Sequence, residues 1–367
     1  MGAPDIDEAD IEGVVAVLRS GQITLGPVTG RFERAFADYV GAEHAVAVCN
    51  GTAALHLCIR AAGIGPGDEV VTSPYSYAAS ANAILFEDAT PVFADIEEDS
   101  LTLDPALAAA AVTGRTRAIL PVHVFGQACA MDSLDALAEA RGLASIEDAC
   151  EAVGSEHRGR RIGGASGPAV FSFFPNKQMT TGEGAIITTG DAGLAGTLRS
   201  LRNQGRDESG AWLSARFGYN YRMTEMSAAL GLSQLGRLEQ MLAAREAAAS
   251  LYRERLAAIP GIRLIEAVPR TTRLSWFAAI ARLDEGLDRD RVIQALAARG
   301  IPARPYFSPL HLLPWIRDRF GYGEGDFPVT ERAARSTLAL PFHNRLGPAD
   351  VDTVGEALEQ VLAGAGG

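Results

Sequence analysis

Lysine is almost missing from this chain: of 367 residues one is a lysine, Lys177, and arginine fills every other basic position. The two cations are not equivalent, because a guanidinium stays protonated in proteins whereas an amine loses its proton when desolvated or set beside another cation. Lys177 is therefore the one side-chain amine that can attack a carbonyl carbon; the plain alternative is an arginine-preferring genome that left one surface lysine behind. Positive charge is scarce altogether. The formal net charge is −12 and the arginines are scattered, which argues against nucleic acid or an anionic membrane as the main partner. No apolar run is long enough to cross a bilayer, and the acidic start MGAPDIDEADIEGVV has no basic segment leading into an apolar one, so a cytoplasmic location is expected. Cysteine is limited to Cys49, Cys58, Cys129 and Cys150, with neither paired zinc spacing nor a disulfide framework, which reads as reduced and mostly buried thiols. The histidines are dispersed, without metal-ligand spacing. GIGPGDE at 63–69 lacks both the dinucleotide fingerprint and a preceding strand, and no G-x-x-x-x-G-K-[ST] loop exists.

What is present is an alternation. Between His44 and Thr189 the apolar runs HAVAVC, DEVVTS, TPVFADI, TRAILPV, GLASIE, AVFSFF and GAIITT are separated by helical patterns at 52–62, 76–86, 103–112 and 132–141. Runs that are apolar on successive positions fit strands covered on both faces, hence an α/β fold with a mostly parallel central sheet between helices. The length exceeds one typical core, so two domains are expected: residues 1–240 as a large domain and 241–367 as a smaller C-terminal α/β domain. A long helical stretch at 226–259 runs up to Pro260-Gly261. Beyond it lie strand candidates IRLIEA and SWFAAIARL, a helix at 289–299 and the Pro-rich segment IPARPYFSPLHLLPW.

Ligands of open parallel sheets sit outside the carboxyl ends of the strands. At those ends this sequence places Asn50, Gly51 and Thr52, then Tyr75, Ser76 and Tyr77, then His123, then Asp148, and finally Ser172 shortly before Lys177. Each residue type also serves as an ordinary turn or helix cap. Together they match the four demands of pyridoxal phosphate (PLP): an amine for the aldehyde, an anion for the pyridine nitrogen, a flat face for the ring and donors for the phosphate. Lys177 is the candidate amine and proton carrier, and Asp148 the candidate anion, or else a cap for the ACEAVG turn. Tyr77 is the candidate stacking ring, or else core. The NGTAAL turn opens a helix whose free amides and positive dipole end suit a phosphate, with Gly51 permitting close approach and Thr52 and Ser172 adding hydroxyls.

The chain resembles the DegT/StrS sugar aminotransferases, PLP enzymes of the aspartate-aminotransferase fold (fold type I). Seven ordered blocks carry the resemblance: GPVTGRFERAFADYVGAEHAVAVCNGTAALHL, GPGDEVVTSPYSYAASANAILFEDATPVFADI, ILPVHVFGQACAMDSL, IEDACEAVGS, SFFPNKQMTTGEGA, FGYNYRMTEMSAALGLSQL and GDFPVTERAARSTLALPF. It implies Lys177 as the Schiff-base lysine, Asp148 at the pyridine nitrogen, Tyr77 on the ring, and Gly51, Thr52, Ala53 and Ser172 around the phosphate. Asn220 matches an asparagine that in the family reaches the phosphate of the neighbouring subunit, so a homodimer with shared active sites is implied. Glu151 stands where family members vary among glutamine, histidine and acid, a possible substrate or cofactor contact. The loop reads GEGA where GEGG is commoner. The dehydratase branch of the family carries histidine at the position of Lys177, so lysine implies transamination, from glutamate or glutamine to a keto sugar, usually a nucleotide-linked keto-deoxysugar. Acceptors such as a cyclitol or another antibiotic precursor, and a catalytically silent binding protein on the same fold, remain open on these residues. Arg222 is a candidate anion contact or a salt-bridge residue, and His311 a candidate substrate contact or a loop anchor.

Overall fold

The apolar runs form strands in the expected order: β1 (His44–Val48), β2 (Glu69–Thr72), β3 (Thr90–Phe93), β4 (Thr116–Leu120), β5 (144–148), β6 (Ala169–Ser172) and β7 (Ala185–Thr189). The structure is a computed structural model that describes residues 4–164, 167–206 and 214–365. β5 is bonded along both edges. Ala144 and Ser145 pair with β4, Glu147 and Asp148 pair with β6, and the amides of Ile146 and Glu147 turn in opposite directions, to Ile119 O at 3.0 Å and Pro168 O at 2.9 Å. The result is one continuous sheet in the order β3-β2-β4-β5-β6-β7-β1, with β7 antiparallel to both its neighbours and all other pairings parallel in direction. Every residue of β2 and β7 is buried, as a sheet covered by helices on both faces requires.

Two cores flank the sheet. On one side Phe32 and Phe36 of the helix Pro27–Val40 meet Phe171 and Phe173, which project from one face of β6 and its extension. Their ring centroids lie 5.1–6.1 Å apart in edge-on contacts. On the other side the helix Gly51–Ala61 buries Leu55, Leu57 and Ile59 against Val46, Val48 and Val70. Asn50 starts that helix in extended conformation, its side-chain oxygen accepting the Ala53 amide at 2.8 Å.

A second, antiparallel sheet runs Ile262–Leu264, Ala279–Leu283, Thr337–Leu340, Arg304–Pro305 and is backed by the helices Leu238–Ala257, Arg289–Ala297 and Pro348–Ala365. The loop after β3 ties it to the large sheet. Asp95 caps the helix Pro328–Ser336 by accepting the amides of Val329 and Thr330, both at 2.9 Å, and the Thr330 hydroxyl at 2.7 Å. Glu97 pairs with Arg270, and Glu98 with Arg282 at 3.0 Å and Arg332 at 2.6 Å.

The single helix expected over 226–259 is two, Glu225–Gly236 and Leu238–Ala257. Between them Arg237 leaves helical geometry (φ −121°, ψ 13°) and turns its guanidinium to Asp5, Asp7 and Asp10. The helix expected from Ser76 begins only at Ala79, because Ser73 and Ser76 spend their hydroxyls on local bonds that hold the turn. Elements that the apolar pattern did not announce are the N-terminal helices Glu8–Ser20 and Pro27–Val40 and a small three-stranded sheet joining 156–161 to Thr271–Arg273.

Phe36→Ala removes the ring that contacts Phe32, Phe171 and Phe173 and should cost about 3–5 kcal/mol of stability. A urea midpoint equal to that of the parent protein would show that the aromatic cluster does not hold this face together.

Candidate active site

Loops leaving the carboxyl ends of the parallel strands surround one cavity of about 610 Å³. Asp148 ends β5 there, its main chain fixed by Asp148 N–H to Pro121 O at 2.9 Å and His123 N–H to Asp148 O at 3.0 Å. The carboxylate is 5 % exposed. It accepts the Ser80 hydroxyl at 2.7 Å on one oxygen and the Cys150 amide at 3.2 Å on the other. Ser80 is bonded in turn to Ser76 at 2.8 Å. Among the described residues no cation pairs with Asp148, so a buried anion facing a cavity is held by neutral donors alone. Such a group favours a proton-bearing cationic ligand beside it.

Lys177 follows β6. The chain turns back after Phe173, with Lys177 N–H bonded to Phe174 O at 2.9 Å, and its side chain, 12 % exposed, enters the cavity. Nζ lies 3.4 Å from Glu151 Oε1 and 4.3 Å from the centroid of the Phe277 ring. Glu151 also accepts the Phe125 amide at 2.9 Å. Burial pushes its carboxyl above the ordinary range, and the Lys177 charge works against that shift.

Opposite stands the amino end of the helix Gly51–Ala61. A Cβ on Gly51 would come 3.2 Å from Cys150 Sγ and 3.3 Å from Ser172 Cβ, so a larger residue would press on both and narrow this cradle. The Thr52 and Ser172 hydroxyls have no protein partner among the described residues. A helix start with spare amides and two spare hydroxyls is built for an anion with several acceptor oxygens. The residues therefore fit PLP: an amine that ends in the cavity, an acid without a cation among the described residues, and an anion cradle.

The structure thus brings Gly51, Thr52, Ala53, Tyr77, Asp148, Glu151, Ser172 and Lys177 to a single cavity. Tyr77 is 69 % exposed at its rim. Three candidates lie elsewhere. Asn220 is exposed, while Tyr219 and Tyr221 on either side turn inward to Glu87 and His56. Arg222 donates to Asn203 Oδ1 at 3.0 Å. His311 does not reach the cavity: it is fully buried, 3.2 Å from Glu331 and with its ring 4.7 Å from that of Phe327, a loop anchor in a separate apolar cluster. Residues that the sequence did not single out complete the wall. Ser80, which does not line the cavity but bonds Asp148 from behind it, lies four positions after Ser76, a spacing that could have flagged it. Phe277, Tyr306 and Phe307 arrive from the C-terminal part with no local signal, and Asn176, beside Lys177, buries a side-chain oxygen without a partner. Among the described residues no group of three His, Cys, Asp or Glu is placed to hold a metal ion, and no helix is long and apolar enough to cross a membrane.

The model of the DegT/DnrJ/EryC1/StrS aminotransferase family matches residues 4–359. The chain is 43 % identical over 365 residues to GDP-perosamine synthase of Caulobacter vibrioides, covering 99 % of this chain and 98 % of that protein. Among solved structures, S. venezuelae DesV in complex with a ketimine intermediate superposes with a TM-score of 0.90 at 39 % identity, covering 96 % of this chain and 93 % of that one. The PLP form of Spr1654 from Streptococcus pneumoniae superposes with a TM-score of 0.93 at 30 % identity, over 99 % and 98 % of the two chains.

Cys150 sits between Asp148 and Glu151 with its thiol toward Gly51. Burial, and then the negative charge of Asp148, push this thiol well above its ordinary pKa, so it stays protonated and unreactive at neutral pH. Iodoacetamide at pH 8 should spare Cys150 in the native protein and modify it once urea unfolds the chain. Rapid alkylation of the folded protein at neutral pH would reveal a thiolate and contradict the assignment.

Proposed function

The chain belongs to the DegT/DnrJ/EryC1/StrS aminotransferase family, and on that premise we propose that it is a PLP-dependent aminotransferase that moves an amino group from glutamate or glutamine to a nucleotide-linked keto-deoxysugar in aminosugar biosynthesis. The observation that carries this reading is the convergence of Lys177, Asp148 and the open helix start at Gly51 on one cavity. The nucleotide-sugar acceptor is supported by the perosamine synthase likeness.

When bound, PLP supplies an aldehyde that condenses with amines and a ring that takes up an electron pair released at the substrate carbon. Asp148, buried and bonded only by a hydroxyl and an amide, would hold a proton on the ring nitrogen as its countercharge. The amides of Gly51 and Thr52 and the hydroxyls of Thr52 and Ser172 would bind the phosphate, with the Ala53 amide held by Asn50. Lys177 would be the covalent anchor of the coenzyme, and its amine would take up and return the proton at the reacting substrate carbon. Glu151, hydrogen-bonded to the Phe125 amide and paired with Nζ, keeps the amine on the cavity wall between those events. The net exchange swaps the donor's amino group with the ketone's oxygen, giving 2-oxoglutarate from glutamate and an aminated sugar.

The cavity supplies one cation against Asp148, Glu151 and Glu183, few positive groups for a site that must take a phosphate and an anionic acceptor. Tyr77, Phe174 and Phe217 stand exposed nearby in sequence blocks around it, at 69, 47 and 72 %. A second copy of the chain, covering these rings and adding Asn220, completes the site and makes the enzyme a homodimer.

Purified protein should be yellow, and borohydride should fix the coenzyme to Lys177. Incubation with glutamate and a panel of nucleotide-linked keto-deoxysugars and cyclitol ketones, scored by 2-oxoglutarate, identifies the acceptor; no turnover with any nucleotide sugar but turnover with a cyclitol would reverse the substrate reading. Lys177→Arg should keep the fold and lose at least about 10²–10⁴-fold in turnover. Mixing inactive Lys177→Arg with inactive Asn220→Ala protein should restore activity through hybrid dimers that hold one intact site. No recovery after confirmed subunit exchange would rule out shared sites.

A further inference from the structure

Arg245, in the helix Leu238–Ala257, is 5 % exposed, yet among the described residues no carboxylate pairs with it. Its hydrogen bonds go to main-chain carbonyls: Nη1 donates to Trp276 O at 3.0 Å and Phe277 O at 3.3 Å, and Nη2 donates to Lys177 O at 3.1 Å, while Nε is buried without a partner among the described residues and the guanidinium lies 5.6 Å from the centroid of the Phe342 ring. Burial lowers its pKa to about 10, which leaves it charged through the neutral range. A desolvated cation without a counterion is a costly way to pack a helix, and an apolar side chain of similar length would fill the same space. What an apolar residue lacks is the planar fork that bonds two separate segments at once.

Those two segments meet again at the amine. Phe277, whose carbonyl Arg245 holds, presents the ring that lies under Lys177 Nζ at 4.3 Å. On the other side of Lys177, Gln178 Nε2 donates to Glu151 O at 2.6 Å and Ser275 Oγ at 2.7 Å. The loop bearing the amine, the segment 275–277 and the main chain of Glu151 are thus stapled together from both flanks. We infer that Arg245 is a positioning residue for the reaction: by tying the Lys177 carbonyl to the carbonyls of Trp276 and Phe277, it fixes the amine over the Phe277 ring in the cavity that Asp148 also lines. The inference rests on the assignment of Lys177 proposed above.

Because Lys177 is the only lysine, an amine-reactive ester reports on it through a single peptide, in coenzyme-free protein as well as loaded enzyme. In coenzyme-free Arg245→Met the acylation rate of Lys177 should rise several-fold, and in the loaded variant the pH midpoint of the visible coenzyme band should move. Turnover should fall by about 10–10²-fold with the KM for glutamate little changed, as expected for a displaced reacting group whose substrate contacts survive. Arg245→Lys, which can bond one segment but not both, should give intermediate values, and it carries the test if the methionine variant does not fold. Arg282→Met, at a buried arginine that serves Glu98 instead, should lower stability without altering either Lys177 readout. Acylation rate and pH midpoint at parental values in the Arg245 variants, whatever their stability, would overturn the inference. Failure of the Lys177 assignment is distinguishable, since it would appear as absence of borohydride-fixed coenzyme in the unmodified protein, and the acylation rates would still decide the role of Arg245.

Discussion

An amine and a carboxylate withheld from bulk water on the same sheet edge, each without a full-strength partner of its own, is the condition around which this molecule is organised. Asp148 has only a hydroxyl and an amide. Lys177 has an acid whose own ionisation burial opposes, and an aromatic face. The parallel strands deliver five loops to one edge while helices close both faces, and this leaves both groups largely buried within the cavity. The cost of desolvating the two charges is recovered when a ligand carrying the opposite features binds between them.

That arrangement explains why part of the site was legible in the sequence. Buried parallel strands are apolar on successive residues, so the runs from HAVAVC to GAIITT marked the strands, and the polar residues that break each run marked the edge where ligands sit. Lys177 stood out by rarity and Asp148 by its place at a strand end. Burial of β5 along both edges was not legible, because a strand that changes neighbours half-way keeps the same composition throughout.

The remainder was hidden for a common reason: its meaning is tertiary. Phe277 and Tyr306 are ordinary aromatics in their own segments and acquire a role only when the C-terminal sheet docks. Arg245 looks like any arginine on a helix, and His311 looks like a polar residue in a Pro-rich loop, yet one sits behind the amine and the other inside a small apolar cluster. The break at Arg237 follows from three aspartates at the far end of the chain, which no window around residue 237 contains. Family likeness supplied what neither composition nor periodicity offers, the expectation that Asn220 serves a neighbouring subunit.

The acidic loop after β3 bears on how reactants come and go. Asp95, Glu97 and Glu98 grip the C-terminal layer at a helix start and at three arginines spread over Arg270, Arg282 and Arg332. A clamshell swing of one layer away from the other must rupture that whole seam simultaneously. The seam thus holds the two layers in one arrangement, and the cavity between them keeps its shape as a fixed vestibule instead of a jaw.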